Sequence, residues 1–577
     1  MKNKKRIAAL LLASALLCGV FSGCGGGNDE SGRSGPASGG EASAGDTAQE
    51  EPETFTMFIN DANFNWDNPV AEEITKRTGV IIKPDLVIDD PTQRISLMTA
   101  SGEYDDLVLN VDRSMEMMRK ADAYVQLDDL IEQYGPNIKE FYGDYYSRLR
   151  YSSEDPHIYG FGLGASQVAE TGPGFYWNVG FFLQNGALKE LGYPEIKTPE
   201  DFENALETYL KDNPTTEDGQ KRIGLSLVTG DGFRFGFSIS QPAAFINGLP
   251  NNNDWYYDEE NDKYTWAHGE EYFKEAMRWY NRMYNKGLID PESFTQNYDT
   301  YLAKIAQGRV VGVIDGYWQF SNAVTQLRSE NPQATYMAFA PLLNPEQSKW
   351  MADQPGDVVQ NGGFSITTAC KNPEKLVKFF DFLASEEGQI LTEHGIEGIN
   401  YTLGEDGGFV RNPEDVAADT KDGAAYSAKT GVKLYARGYN QWLHRPDGWK
   451  TSAGQSLYIH DYSAASDAFC QEEKDSLANY GFEYFSDIFP KPSELPIMEF
   501  GTGNSLPTGE SDDTKIAKQK LQDMRLPHLA KAIMATPEEF DAVWQEYLTD
   551  MEAAGKQILE DEINKAYQDR KEAWGAA

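Results

Sequence analysis

Residues 54–109 read TFTMFINDANFNWDNPVAEEITKRTGVIIKPDLVIDDPTQRISLMTASGEYDDLVL, and the order of signals in that stretch decides the fold. Residues 54–59 read as a strand. Asn68-Pro69 supplies an N-cap and a first helical turn, where proline's missing N–H costs nothing because that turn leaves it unpaired anyway. The helix runs to Thr78, and Gly79 stops it. Residues 80–87 form a second strand, 91–100 a second helix and 106–109 a third strand. Parallel neighbours need a crossover long enough to hold a helix, so this alternation implies a parallel sheet and an α/β class.

Downstream the same grammar continues. Helices are expected at 115–121 and 127–134, followed by an aromatic stretch over 141–161. Thr198-Pro199-Glu200-Asp201 opens a helix with Phe202, Ala205, Leu206 and Tyr209 on one face, and 271–286 is another amphipathic helix. Residues 310–314 read as a buried strand between a helix at 301–307 and the turn Asp315-Gly316. Asn372-Pro373 caps a helix ending near Gly388. Thr536-Pro537-Glu538-Glu539 reads as a capping box opening a long C-terminal helix, with Phe540, Val543, Trp544, Tyr547 and Met551 inward. No internal repeat is present, and the length suggests two lobes.

Upstream, Lys2, Lys4, Lys5 and Arg6 precede an apolar run over 7–20 that is too short to span a bilayer as a mature helix. It ends in Phe21-Ser22-Gly23-Cys24, which resembles the lipobox of bacterial lipoproteins, with Phe21 where Leu is usual. An ordinary secretory signal with an incidental cysteine is the alternative. Residues 24–53 are Gly, Ser, Ala and acid with almost nothing apolar, the composition of a flexible tether, and that favours the lipoprotein reading with 1–23 as signal.

The formal charge is −40, from 51 Lys and Arg against 91 Asp and Glu. Nucleic acid is therefore excluded as a partner, since phosphate binding needs clustered cations. A strongly anionic ligand is disfavoured too, unless a local basic pocket overrides the mean field. Beyond Cys18 and Cys24 only Cys370 and Cys470 remain, and pairing or two buried thiols are both open. The chain has no G-x-S-x-G elbow, P-loop, H-E-x-x-H or C-x-x-C, and its six histidines show no ligand spacing. No cofactor, metal or catalytic group is expected. A pair of carboxylates for glycoside hydrolysis can always be nominated among 91 acids, so that reading has no sequence support of its own.

Several segments, in shared order over the mature chain, resemble the family 1 extracellular solute-binding proteins of ABC sugar importers, and most of all their long lipoprotein branch. They are Ile74-Thr75-Lys76-Arg77-Thr78-Gly79-Val80, residues 100–107 (ASGEYDDL), Pro156-His157-Ile158-Tyr159-Gly160, Tyr176-Trp177-Asn178 with residues 188–192, and Lys197-Thr198-Pro199-Glu200-Asp201-Phe202. Residues 308–317, 380–388 and Gly395-Ile396-Glu397-Gly398 follow. The resemblance implies a two-lobed periplasmic-binding-protein-like fold with a hinge and a ligand cleft between the lobes. On this reading lobe 1 takes about 54–160 plus 310–335 and the C-terminal helices. Lobe 2 takes about 161–309 plus 336–500, with crossing strands near 159–161 and 336–341. Some relatives carry a calcium loop after the Thr-Pro-Glu helix; residues 212–219 here (DNPTTEDG) lack its alternating oxygens, so no site is expected there. Residues 61–67 with Glu72 space oxygens more like an EF-hand, but Trp66 stands where the sharp turn needs Gly, and a ligand-facing loop is the better reading.

A sugar presents flat C–H faces, which aromatic rings cover, and vicinal hydroxyls, which Asp, Asn or Arg bond in pairs. In open α/β sheets ligands sit beyond the carboxyl ends of strands. Those ends offer Asn60, Asp61, Asn65 and Trp66 after the first strand, Asn110, Asp112 and Arg113 after the third, and Asp315, Tyr317 and Trp318 after the returning strand. From the second lobe the candidates are Trp177 after the crossing segment, Trp255, Asn361 before Gly362-Gly363, Glu397 and Trp442. Trp279 and Trp544 lie in helical stripes and read as core. The expected protein is a monomer held on the extracellular face of the cell membrane by lipid on Cys24, delivering an oligosaccharide to an ABC permease. A peptide or other polar solute as ligand, or service to a sensor, are the alternatives, and a hydrolase comes last.

The anchor is testable by fractionation. Cys24→Ala should move the protein from the membrane fraction to the medium; a variant as firmly sedimented as the parent removes the lipid from the account.

Overall fold

The computed structural model describes residues 51–575 apart from 62–63, 88–90, 112–113, 164–179, 231, 251, 344–358, 436–442, 446–448, 458–468, 490–499 and 510. The signal, Cys24 and nearly all of the tether lie outside those residues. β1 (Glu53–Ile59), α1 (Pro69–Thr78), β2 (Val80–Leu86), α2 (Pro91–Ser101), β3 (Leu107–Leu109) and α3 (Ser114–Lys120) follow in the expected order. β1 lies parallel to both β2 and β3, with Phe55 opposite Ile82 and Met57 opposite Leu107. Asn68 accepts the Ala71 N–H at 2.9 Å, and Gly79 closes α1 in the left-handed conformation at φ 67°. Pro84 is tolerated in β2 because that strand is at the sheet's edge.

The remaining strands are β4 (Phe161–Leu163), β5 (Gly180–Gln184), β6 (Ile223–Ser226), β7 (Trp255–Asp258), β8 (Lys263–Trp266), β9 (Val310–Asp315), β10 (Tyr336–Phe339), β11 (Val359–Ile366), β12 (Tyr401–Leu403) and β13 (Phe409–Arg411). They build a five-stranded sheet in the order β2-β1-β3-β11-β4, a four-stranded sheet β10-β5-β9-β6, and the hairpins β7-β8 and β12-β13. Each large sheet has its own apolar core. These are the two lobes.

The lobes are not divided as the sequence suggests. β9 pairs with β5 and β6, so 310–335 belongs to the second lobe, not the first. Every residue of β9 is buried, which demands a neighbour on each side as well as cover on both faces. β11 returns to the first sheet against β3 and β4, and Leu376, Phe380, Val432 and Tyr435 fill that lobe's core, so much of 336–500 is lobe 1. The C-terminal helices, Asp512–Met534, Phe540–Ala554 and Lys556–Gly575, pack in the second core through Leu521, Trp544 and Ile563. The chain thus changes lobe between β4 and β5, again between β10 and β11, and a third time between Leu457 and Phe469.

Smaller differences have local causes. The helix expected from 372 to Gly388 ends at Ala384, and Ser385 caps a second one, Glu386–His394, through the Gly388 N–H. The Thr536 hydroxyl does donate to Glu539, at 2.8 Å, but closes a turn, and the helix begins only at Phe540. Gly555 at φ 103° breaks the C-terminal run into two helices. In β11, Gly363 sits at φ 77° where a Cβ would stand 1.7 Å from the Phe161 carbonyl oxygen, so only glycine lets β4 close on β11 at their register shift. Cys370 and Cys470 are free thiols.

Trp544 is buried, stacked parallel to Phe540 at 5.9 Å and edge-on to Tyr547 at 5.7 Å. Trp544→Ala should therefore cost about 3–5 kcal/mol of stability as an aromatic cavity. Chemical denaturation is the check, and a loss below about 1 kcal/mol would place the indole outside the core.

Candidate functional site

A cleft of about 1000 Å³ opens between the two cores. Its first-lobe wall is Glu116 and Arg119 on α3, with Tyr151, Ser152 and Glu154 from the segment that follows a 3₁₀ turn. Its second-lobe wall comes from three places. One is the short helix Gly232–Phe235 and the π-turn Gly236–Ser240, which present Phe233, Phe237 and then Gln241. Another is the β7-β8 hairpin with Asp254, Trp255 and Trp266. The last is the C-terminal helices, with Lys518, Arg525, Glu562, Arg570 and Trp574. Trp255 and Trp266 oppose each other across the hairpin, edge to face at 5.2 Å. Gly503 packs closely on Trp255 and Tyr264: a Cβ there would meet Trp255 Cβ at 2.8 Å and Tyr264 Cε1 at 3.0 Å.

The floor on the second-lobe side is a buried polar chain. Arg525 pairs with Asp254, which also accepts from His268 Nε2 at 3.1 Å, while His268 Nδ1 faces the Tyr547 hydroxyl at 2.8 Å. Burial alone would raise the Asp254 carboxyl, but the bonds from His268 and the Arg525 charge outweigh it and hold the group well below the carboxylate range. Burial lowers the fully enclosed His268, so its neutral ring donates to Asp254 and accepts from Tyr547.

Three residues of this wall carry buried polar atoms without a protein partner. Gln241 gives its amide N–H to Asn253 at 3.0 Å, but its Oε1 accepts nothing. The indole N–H groups of Trp266 and Trp574 are likewise buried and unpartnered. All three residues line the cleft and are less than a tenth exposed. Trp574 belongs to neither core. The guanidinium of Arg570 lies over its ring at 4.9 Å from the centroid, and that of Arg148, from the first lobe, at 4.7 Å.

The residues singled out from sequence fare unevenly. Trp255 lines the cleft. Trp318 is half-buried behind its aromatic face, 5.5 Å from Phe237 and 5.9 Å from Phe233, and projects from the second lobe rather than the first. Trp66 is a correction. Its N–H donates to Thr75 Oγ1 at 3.1 Å and its ring packs on Tyr435 at 5.1 Å. Thr75 lies toward the C-terminal end of α1, away from the strands' carboxyl ends, so the indole staples the loop to the helix.

Asn65 is committed to that loop through the Ala428 carbonyl at 3.0 Å. Asn60 is exposed and Asp61 turns the chain by accepting the Phe64 N–H; both stand at the end of β1 but outside the cleft lining. Asn110 is buried against Ser365 and Tyr124. Asp315 and Tyr317 are core: Tyr317 packs on Phe182 and Phe320 and its hydroxyl accepts from Arg328. Asn361 lies in β11, and Glu397 stands exposed on the turn before β12, not among the lining residues. Asp112, Trp177 and Trp442 lie outside the described residues, as does Arg113. The sequence reading missed Arg119, Phe233, Phe237, Gln241, Arg525 and Trp574. The run Gly232-Phe233-Arg234-Phe235-Gly236-Phe237 was the available signal, three rings among glycines without helical or strand period.

Two sheets on separate cores with an aromatic, polar cleft between them define a bilobal binding protein. The chain belongs to the bacterial extracellular solute-binding proteins, whose family model matches residues 70–398. It is 26% identical over 324 residues to the fructooligosaccharide ABC transporter substrate-binding protein FusA of Streptococcus pneumoniae serotype 4, across 54% of this chain and 56% of that one. It is 21% identical over 361 residues to lipoprotein LipO of Bacillus subtilis strain 168, across 59% and 65%. The alignments thus span little more than half to two thirds of those relatives. In fold it matches an extracellular solute-binding protein from Bifidobacterium longum subsp. infantis at TM-score 0.66 and 17% identity, covering 91% of this chain and 99% of that one. It also matches the S. pneumoniae FusA complex with kestose at TM-score 0.63 and 18% identity, over 89% and 99%. No helix among the described residues is long and apolar enough to cross a membrane.

Asp315 yields a pH test. Burial pushes its carboxyl up to about 7, against the pull of the Tyr301 hydroxyl, the Gly316 N–H and Gln319. The folded chain then keeps a proton that the unfolded chain, with a carboxyl near about 4, gives up. Stability from this group is full below about pH 4 and is lost as pH rises to about 7. Asp315→Asn should remove that fall, gaining on the parent between about pH 5 and about pH 8. A parent-to-variant melting difference that does not change with pH shows that the carboxyl does not titrate there.

Proposed function

We propose that this protein captures an oligosaccharide in the cleft between its lobes and presents it to an ABC-type permease, from a lipid anchor at Cys24 on the outer face of the membrane. The observation that carries the reading is the pairing of aromatic faces with unpartnered polar atoms. A buried indole N–H or amide oxygen without a partner costs stability unless a ligand satisfies it. Hydroxyls both donate and accept, so a sugar carries the groups that Gln241 Oε1 and the indole N–H groups of Trp266 and Trp574 require. Phe233 is 59% exposed at the cleft, and such an apolar face suits the C–H side of a sugar ring.

The electrostatics favour binding over hydrolysis. Cleaving a glycosidic bond needs a cleft carboxyl whose pKa is raised. Asp254 is pushed the other way, and Asp315, which burial does raise, sits in the second core rather than among the cleft's lining residues.

A glycan screen of the mature chain, followed by calorimetry, tests the reading. Phe233→Ala should melt normally, because the ring is exposed, yet bind the selected glycan about tenfold more weakly. Trp574→Phe keeps a ring but removes the N–H, and should cost a similar factor. If peptides bind and no glycan does, or if both variants bind as the parent does, the oligosaccharide reading is wrong.

A further inference from the structure

We infer that the cleft selects uncharged oligosaccharides and rejects those bearing carboxylates, an inference that rests on the oligosaccharide reading above. Five cations line the cleft, and the protein already engages each of them. Arg119 holds Asp155 at 3.0 Å and lies over the Tyr151 ring at 4.2 Å. Arg525 is paired with Asp254. Lys518 donates to the Thr508 hydroxyl at 3.0 Å, and Arg570 to Ser505 Oγ at 2.6 Å and the Phe500 carbonyl at 3.2 Å. Lys565, at the rim, holds Asp569 at 3.0 Å and feels Glu154 across the cleft from the other lobe.

The lining also carries carboxylates from both lobes: Glu116, Glu154, Asp254, Glu562 and Asp569. Among the described residues the formal charges of the lining therefore balance, and they form no local basic pocket that overrides the chain's −40. A uronate entering this space would give up water and meet carboxylates from both lobes; Arg119 Nε is buried without a partner, but the charge of its guanidinium is already answered by Asp155. Desolvating a charge without a dedicated partner is the costlier half of any buried ion pair. A neutral ring meets none of that cost and still finds Gln241 Oε1 and the two indole N–H groups.

The test uses the full mature chain and calorimetric titration of two matched panels. One holds neutral tetrasaccharides of glucose, fructose, galactose and mannose; the other holds tetragalacturonate and tetraguluronate. At least one neutral tetrasaccharide should bind, and each uronate should bind at least about a hundredfold more weakly than the best neutral ligand. Affinity for that neutral ligand should also be flat between about 0.02 and about 0.5 M salt, because no new charge pair forms. A uronate that binds as tightly as any neutral tetrasaccharide, with affinity falling steeply in salt, overturns charge selection while leaving the oligosaccharide reading intact. Binding of neither panel overturns both.

Discussion

Neither large sheet can be completed from a contiguous piece of chain. The first needs β11, which arrives some 250 residues after β3 and slots between it and β4; the second needs β9 between β5 and β6. Each inserted strand is flanked on both sides, so removing one would leave two rows of backbone groups unpaired in a core. The consequence is that the chain must pass between the lobes repeatedly. Gly363 shows how tight the closure is, since any side chain there collides with the β4 backbone.

The cleft inherits its character from that arrangement. Two of the C-terminal helices, Asp512–Met534 and Lys556–Gly575, supply with the β7-β8 hairpin most of one wall, and helices present side chains at fixed spacing. They also permit a charge to be buried. Asp254 loses water but gains Arg525 from a helix about 270 residues distant and His268 from beside the hairpin, and the bonds win over desolvation. Asp315 is the contrasting case. Its three donors are neutral, so desolvation wins and its proton is held tightly. Two buried aspartates thus titrate in opposite directions: Asp254 has a directly paired cation, whereas on Asp315 the neutral donors and the charge of Arg234 do not outweigh burial.

What could be read in advance follows from how local each cause is. The βαβαβ start was legible because Asn68, Pro69 and Gly79 act on their own neighbours, and Trp279 and Trp544 because helical period marks a core face. Lobe membership was not, since β9 carries the same apolar signal whichever sheet it joins. Trp66 misled for a related reason: a tryptophan after a strand looks like a ligand platform until Thr75, nine residues on, takes its N–H. Asp315 and Tyr317 stand where a ligand contact belongs by topology, yet Tyr301 and Arg328 occupy them from elsewhere in the chain. The cleft's polar atoms are contributed by residues from α3 to the last helix, and no spacing in sequence encodes their meeting.

Trp574 stands where the two lobes and the cleft meet. It is buried but part of neither core, and the two guanidinium groups that lie over its ring belong to different lobes. Arg570 is itself fixed by Ser505 and the Phe500 carbonyl, while Arg148 also lies over Tyr145 at 4.4 Å in the first lobe. The indole therefore reports to both halves of the molecule and to the cleft it lines. A ligand group that accepts its N–H acts on a ring whose stacking depends on how the lobes sit, so affinity and lobe arrangement are linked through one side chain. Linkage of this kind is bounded by differential affinity: a ligand shifts the lobes only to the extent that it binds one arrangement better than another.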